Sequence, residues 1–382
     1  MKIKNIEIFK IPPRWLFLKI TTESGISGWG EPALEGKTDS VIAAIHDMKQ
    51  YLIGQNAEEI EHIYNLLTKG SFYRGGVIMM SAVSGIEQAL WDIKGKHLNT
   101  PVYNLLGGAV REKVRIYGWI GGDSPTDLIS QAQRRIDSGY TALKINACGK
   151  TEWIVSPSET KSIIQRLKEL RAAVGDKIEI GIDFHGRVHK SAVKRLVKEL
   201  EEFCPMFYEE PLLPEYIDQL KDVANYTTVP IAFGERLVGR REFKSLINNG
   251  IVDIIQPDIS HTGGIWEIRK IAAMAETSDI ALAPHCPLGP IAFAASLHIN
   301  TCCPNVIIQE TSQGIHYNEG TDMLDYIINK KDLSIIDGFI PNLEKPGLGI
   351  EIDEKFVKEM SKIGHNWRNP IWYGKDGSLL EW

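Results

Sequence analysis

Ile178-Glu179-Ile180-Gly181-Ile182-Asp183-Phe184-His185, Met206-Phe207-Tyr208-Glu209-Glu210 and Ile231-Ala232-Phe233-Gly234-Glu235 are three short apolar runs that each end in a carboxylate. The steps from Asp183 to Glu209 and from Glu209 to Glu235 are both 26 residues. That length holds one strand, one helix and their loops, so the runs read as successive strands of a βα repeat. Working outward, residues 114–117, 141–145, 254–256, 280–283 and 306–308 supply further strand-like runs, which makes eight. Helical segments such as residues 158–173 and 190–203 fill the gaps. Eight repeats of this kind read best as a closed parallel TIM-type barrel, although an open doubly wound sheet uses the same alternation.

The ends of these strands carry the chemistry. Strands three to eight run into Asp183 and His185, Glu209, Glu235, Asp258, His285 and Glu310 in turn. With 49 Asp and Glu and 10 His in 382 residues, such a succession is not background. In a barrel these positions form the rim where active sites are built. Asp183, Glu209 and Glu235, one per adjacent strand and with no thiolate beside them, suit a hard cation such as Mg²⁺. A cation with open positions would hold an anionic substrate despite the chain's net charge of −6. It would also offset the double charge that forms when a proton is removed next to a carboxylate.

Removing that proton needs a base. His285 on strand seven qualifies, because Asp258 on the neighbouring strand can fix its tautomer. Strands three and seven stand four apart in a ring of eight, so His185 and His285 should face each other across the mouth. One imidazole taking a proton while the other protonates a leaving hydroxyl is an anti elimination of water. Glu310, at the end of strand eight, could donate a hydrogen bond to the enolate oxygen if it stayed protonated.

Before the repeat, residues 5–8, 15–20 and 26–31 alternate as a small antiparallel meander, followed by helical spacing at Val41, Ile45, Met48 and Leu52 and at Val83, Ile86, Leu90 and Ile93. Residues 1–112 therefore form an α+β unit, residues 113–320 the barrel, and residues 321–382 a tail, strand-like at 349–352, that returns to the first unit. Hydrophobic residues at 43 % and charged residues at 24 % fit an ordinary globular chain. The negative charge argues against a nucleic-acid partner. No apolar run approaches the roughly 18 residues of a membrane helix. Five cysteines without metal-type spacing suit a reducing cytoplasm. No strand-linked glycine-rich loop supports a nucleotide cofactor. His261 reads as a packing residue.

At these residues the sequence resembles the dehydratases of the mandelate racemase group of the enolase superfamily. The stretches that carry the likeness are Gly181 to Arg187, Tyr208-Glu209-Glu210-Pro211, Gly234-Glu235-Arg236, Gln256 to His261 and Ala283 to Pro290. The resemblance implies a modified (β/α)7β barrel under a capping domain, and Mg²⁺ on Asp183, Glu209 and Glu235. It implies His285 as base with Asp258 as its partner, His185 as acid and Glu310 as enolate stabiliser. The expected reaction is dehydration of a six-carbon sugar acid, D-galactonate first, to a 2-keto-3-deoxy acid. Loops holding Arg14 and Trp15 and Tyr73 and Arg74, together with Asn146, are the expected substrate contacts, and a symmetric homo-oligomer is expected. Racemases and cycloisomerases of the group often carry two lysines where this chain has Lys144 and Asn146, which disfavours their reactions. Gluconate, mannonate or a pentonate as substrate, epimerisation, or a non-catalytic metal-binding relative are the alternatives.

Overall fold

The structure, a computed structural model, describes residues 1–121, 128–248 and 250–382. Strands β1 (Ile3–Ile11), β2 (Trp15–Thr22) and β3 (Ser27–Gly30) form the antiparallel meander, with Ile8 opposite Leu18 and Lys19 opposite Trp29. Helices α1 (Thr38–Leu52), α2 (Ile60–Lys69), α3 (Val77–His97) and the single turn α4 (Val102–Leu105) complete this cap. Helix α2, which the sequence reading does not single out, packs Ile60, Ile63, Tyr64 and Leu67 on the core at helical spacing.

The barrel alternates β4 (Lys113–Ile120), α5 (Leu128–Asp137), β5 (Ala142–Asn146), α6 (Pro157–Val174), β6 (Glu179–Asp183), α7 (Lys190–Leu200), β7 (Phe207–Glu209) and α8 (Leu220–Ala224). It continues with β8 (Ile231–Phe233), α9 (Gly239–Asn248), β9 (Ile254–Ile255), α10 (Ile265–Glu276), β10 (Ala281–Leu282), α11 (Pro290–Cys302) and β11 (Gln309–Thr311). The strands pair in parallel from β10 round to β4 and on to β11. A bridge between Leu282 and Val306 joins the two ends, with the Leu282 amide bonded to Asn305 O and the Ile307 amide to Leu282 O, both at 2.9 Å. Eight strands and the seven helices between them make a (β/α)7β barrel. The last strand is displaced from its expected place. Residues 306–308 contribute only the closing bridge, and the regular pairing with β4 falls on Gln309–Thr311, so Glu310 lies within the strand.

Side chains two apart on a strand share a face. Tyr117, Ala142, Phe207, Ala232, Ile254, Ala283 and Ile308 form one small core cluster, separate from the large one, that fills the barrel. Gly181 completes this layer, since a Cβ there would lie 2.8 Å from the Phe207 ring. The floor of the site is therefore apolar and full.

The tail touches both units. Strand β12 (Phe339–Pro341) pairs antiparallel with β4, the Tyr326 hydroxyl donates to Pro12 O at 2.6 Å, and α12 (Glu354–Ser361) lies against β1. Residues 349–352 do not form a strand. Positive φ at Gly347 and Gly349 interrupts the extended run, and only Ile352 makes a bridge, to Ile327. After α12 the chain leaves the cap, crosses the barrel mouth and ends in the hairpin β13 (Trp372–Tyr373) and β14 (Leu379–Leu380). No helix among the described residues is long and apolar enough to cross a membrane. The five cysteines are free.

A polar seam joins cap to barrel. The expected apolar positions of α3 are buried, and so are Ser81, Ser84, Glu87 and Gln88. Glu87 accepts the amides of Ile265 (2.7 Å) and Trp266 (2.8 Å) and the Trp91 indole (2.7 Å), so a cap side chain satisfies the first turn of barrel helix α10. Glu31 does the same for α11 through the amides of Gly289, Ile291 and Ala292. Both helices begin after a glycine without a side-chain cap of its own. At Gly264 a Cβ would sit 2.1 Å from Glu87 Oε2, so the glycine makes room for the visiting carboxylate. Glu87→Ala leaves three buried donors unmatched at ~1–3 kcal/mol each. Urea unfolding should show a loss of at least about 3 kcal/mol; a loss below about 1 kcal/mol would contradict the capping role.

Candidate active site

The residue two beyond most floor residues projects into the mouth. From Ala142, Gly181, Phe207, Ile254, Ala283 and Ile308 this gives Lys144, Asp183, Glu209, Gln256, His285 and Glu310. Most of these, with Asn146, His185, Arg187, Glu235, Arg236 and His261, line a cavity of about 370 Å³. Glu209 and Gln256 lie fully buried just beneath it.

His285 and Asp258 form a tight pair, Nδ1 to Oδ2 at 2.8 Å. A carboxylate only accepts, so Nδ1 carries a hydrogen, and Nε2 is turned into the site, 3.5 Å from Glu235 and 4.0 Å from Glu310. Burial opposes charge on this imidazole, but Glu235, Glu310 and the Asp258 bond outweigh it and hold it well above its usual value. Asp258 is itself fixed by the Ser260 amide at 2.7 Å, and the Ser260 hydroxyl donates to Glu31 O at 2.6 Å.

His185 is held differently. Its amide donates to Asp183 Oδ1 at 2.6 Å, its carbonyl accepts from Arg236 at 2.8 Å, and its φ of 53° lies in the left-handed region. Burial, then Arg187 and Arg236, push its imidazole down to about 3, so it is neutral. The two histidines stand on β6 and β10, four apart in the ring.

Asp183 and Glu209 face each other in the β6–β7 register, and Glu235 follows β8. All three are buried. Burial raises Asp183 to about 6, against the pull of Lys144, and raises Glu209 well above its usual range. Lys144 is the site residue that sequence reading passed over as a mere partner of Asn146. Its ammonium lies 2.5 Å from Glu209, 2.7 Å from Glu310 and 3.9 Å from Asp183. As the side chains stand, no three Asp, Glu, His or Cys among the described residues are arranged to hold a metal ion. The Lys144 ammonium lies instead among Asp183, Glu209 and Glu310. The donor set still fits a hard cation. Buried carboxylates outnumber the one ammonium among them, and Glu235 Oε2 is buried without a hydrogen-bond partner. As placed, Glu310 accepts, from Lys144 and from the Cys286 amide at 3.0 Å, where a donor was expected.

Of the expected substrate contacts, Arg14 and Asn146 line the cavity. Arg14 is already bonded to Glu35 (2.7 Å) and Pro287 O (2.6 Å), which ties the cap to the loop after His285. Trp15 does not reach the cavity; its ring is buried in the cap against Phe17 and Tyr326. Tyr73 and Arg74 also stand outside it, Tyr73 being 87 % exposed, on a loop that ends in two positive-φ glycines. His261 sits in the cavity wall as well as in packing, with Nδ1 3.1 Å from the Ser81 hydroxyl. An aromatic wall of Trp119, Tyr317, Trp367 and Trp382 was not foreseen. Trp119 was findable, two residues beyond Tyr117 on β4.

Two family descriptions match: the mandelate racemase/muconate lactonizing enzyme N-terminal domain over residues 13–107, and the enolase C-terminal domain-like family over residues 127–356. A D-galactonate dehydratase of Pectobacterium atrosepticum is 50 % identical over all 382 residues, covering 100 % of both chains. An enolase from Agrobacterium radiobacter, solved with sodium and L-malate, superposes with a TM-score of 0.89 at 31 % identity, covering 100 % of both chains. A mandelate racemase/muconate lactonizing enzyme from Sulfitobacter gives 0.86 at 32 % identity, over 94 % of this chain and 95 % of that one.

The buried charge has a consequence for stability. Asp183 moves from 3.8 up to about 6, Glu210 from 4.5 up to about 8, each chiefly by burial, and His285 is raised as well. The folded chain thus keeps protons that the unfolded chain releases, so this stability is full below 3.8 and is lost as pH rises from there to about 8. Glu235 is shifted the other way: burial would raise it, but His285 and His185 pull it down. It stays ionised throughout that window and changes nothing there. With chelator present, the thermal midpoint should fall from pH 5 to pH 8, and Mg²⁺ added at pH 8 should raise it again. A midpoint that climbs over this range, or ignores Mg²⁺, would contradict the reading.

Proposed function

The chain belongs to the mandelate racemase/muconate lactonizing enzyme family of the enolase superfamily and is a sugar-acid dehydratase within it, and we propose that it converts D-galactonate to 2-dehydro-3-deoxy-D-galactonate and water with Mg²⁺ as cofactor. The observation that carries this reading is the placing of two imidazoles on strands four apart in the ring, above the buried carboxylates. One is tied to Asp258 through Nδ1 with Nε2 toward Glu235, and the other is held through its backbone by Asp183 and Arg236.

A cation on Glu235 would offset the charge that keeps His285 protonated, and the Nε2 so freed takes the C2 proton, while the electron pair of that bond moves into the carboxylate as an enediolate. Asp258 stabilises the imidazolium that results. The enediolate then collapses. A C2–C3 double bond forms, the C3–O bond breaks, and the hydroxyl leaves as water with a proton from His185. The enol left behind tautomerises to the 2-keto acid. The guanidiniums beside His185 disfavour its protonation, so it serves as donor only while an anionic substrate lies against it. Lys144, fixed between Glu209 and Glu310, places a permanent positive charge beside the enediolate. Asp183, Glu209 and Glu235 would hold the Mg²⁺, which when bound supplies positive charge to the substrate carboxylate.

Initial rates across stereoisomeric aldonates test the proposal. D-galactonate should turn over fastest, and chelation should abolish the rate. A faster gluconate, mannonate or pentonate would replace the substrate, and undiminished turnover without metal would overturn the cofactor. His285→Asn should stop exchange of the C2 hydrogen with D₂O, so exchange that continues in that variant means another base. Asp183→Asn should remove Mg²⁺ affinity in calorimetry as well as turnover; retained affinity would take it out of the ligand set.

A further inference from the structure

The two histidines of the site differ in what orients their rings. His285 is fixed through Nδ1 by the 2.8 Å bond to Asp258. In His185 the backbone is fixed at its amide and carbonyl, but Nδ1 is buried with no hydrogen-bond partner. The ring contact made by this imidazole is with Trp382, edge to face, centroids 5.3 Å apart and planes at 82°. Trp382 is the last residue of the sequence and lines the cavity with Trp367, 6.2 Å away ring to ring.

The segment that delivers Trp382 is braced on both sides of the mouth. On the cap side Arg368 lies 3.4 Å from Asp39, and the Asn369 side chain stands where a Cβ on Gly36 would be, 2.1 Å away. On the barrel side the Lys375 amide donates to Glu152 at 3.1 Å. The Arg187 guanidinium lies over Trp372 at 4.8 Å and Trp382 at 6.0 Å, while its Nη1 donates to Cys148 O at 3.0 Å. A strap held at both ends sets its terminal indole against one catalytic ring.

We propose that Trp382 is a positioning residue for His185, its indole doing by contact what Asp258 does for His285 by hydrogen bond. The inference rests on the dehydratase reading, in which His185 serves the departing hydroxyl and His285 the C2 proton. Loss of the indole frees the His185 ring to rotate, which misplaces the proton donor and leaves the base untouched. Misplacement by about 1 Å costs on the order of 10²-fold in rate.

Trp382→Ala should lower dehydration by about 10²-fold while exchange of the C2 hydrogen with D₂O stays within about threefold. The ratio of exchange to dehydration then rises at least about tenfold. Trp382→Phe, which keeps a ring against His185, should restore most of the dehydration rate. Reaction of His185 with diethyl pyrocarbonate, read by peptide mass, should speed up about tenfold in the alanine variant alone. Exchange and dehydration falling together would overturn the proposal, as would unchanged carbethoxylation of His185. A wild-type chain inert toward every aldonate would sink the dehydratase reading instead, and the carbethoxylation rates would still decide whether the indole holds the ring.

Discussion

Side chains two residues apart on a strand share a face, and in this barrel that constraint places nearly every charged group of the site. Below lies the floor of Tyr117, Ala142, Phe207, Ile254, Ala283 and Ile308. Above it, at the next inward position, stand Trp119, Lys144, Glu209, Gln256, His285 and Glu310. A slip of one residue in any strand would turn a floor residue out and a charge away from the mouth. The common register, seen in Asp183 facing Glu209, therefore does the convergent work that a metal site needs. It also forces several carboxylates into the interior together. Lys144 offsets part of that charge, and the remainder would favour a bound cation.

A barrel alone leaves its rim loops free, and the cap removes that freedom. Helix α3 and strand β3 reach across with Glu87, Gln88 and Glu31 to satisfy the loops and helix starts that follow Asp258 and His285. These carboxylates are buried, and burial raises both to about 8. Each nevertheless accepts backbone amides at a helix N-terminus, the arrangement that best tolerates a buried acid. The cap is thus part of what orients His285.

Much of this was legible in the sequence because strands announce themselves by short apolar runs, and the 26-residue spacing of Asp183, Glu209 and Glu235 sets the repeat. The histidines and Asp258 follow from strand ends. Lys144 was visible by the same parity, two residues beyond Ala142, but drew no notice beside the more telling Asn146. The aromatic wall from the tail was not readable. Trp367 and Trp382 sit in a segment without periodicity, and only the three-dimensional path of the tail brings them to the mouth. Trp15 misled because a residue beside Arg14 at the start of a strand alternates away from it, into the core of the cap. Nothing local marks Glu31 and Glu87, because the helix starts that dock on them lie far away in sequence.

The facing arrangement of the two imidazoles across one cation site is the claim on which the chemistry turns. A crystal structure of the protein with Mn²⁺ and D-galactonate bound tests it directly. The account predicts the ion on Asp183, Glu209 and Glu235, with C2 of the acid toward His285 Nε2 and the 3-hydroxyl toward His185 on the opposite flank. Both rings on one side of the substrate, or an ion held away from those carboxylates, would contradict it.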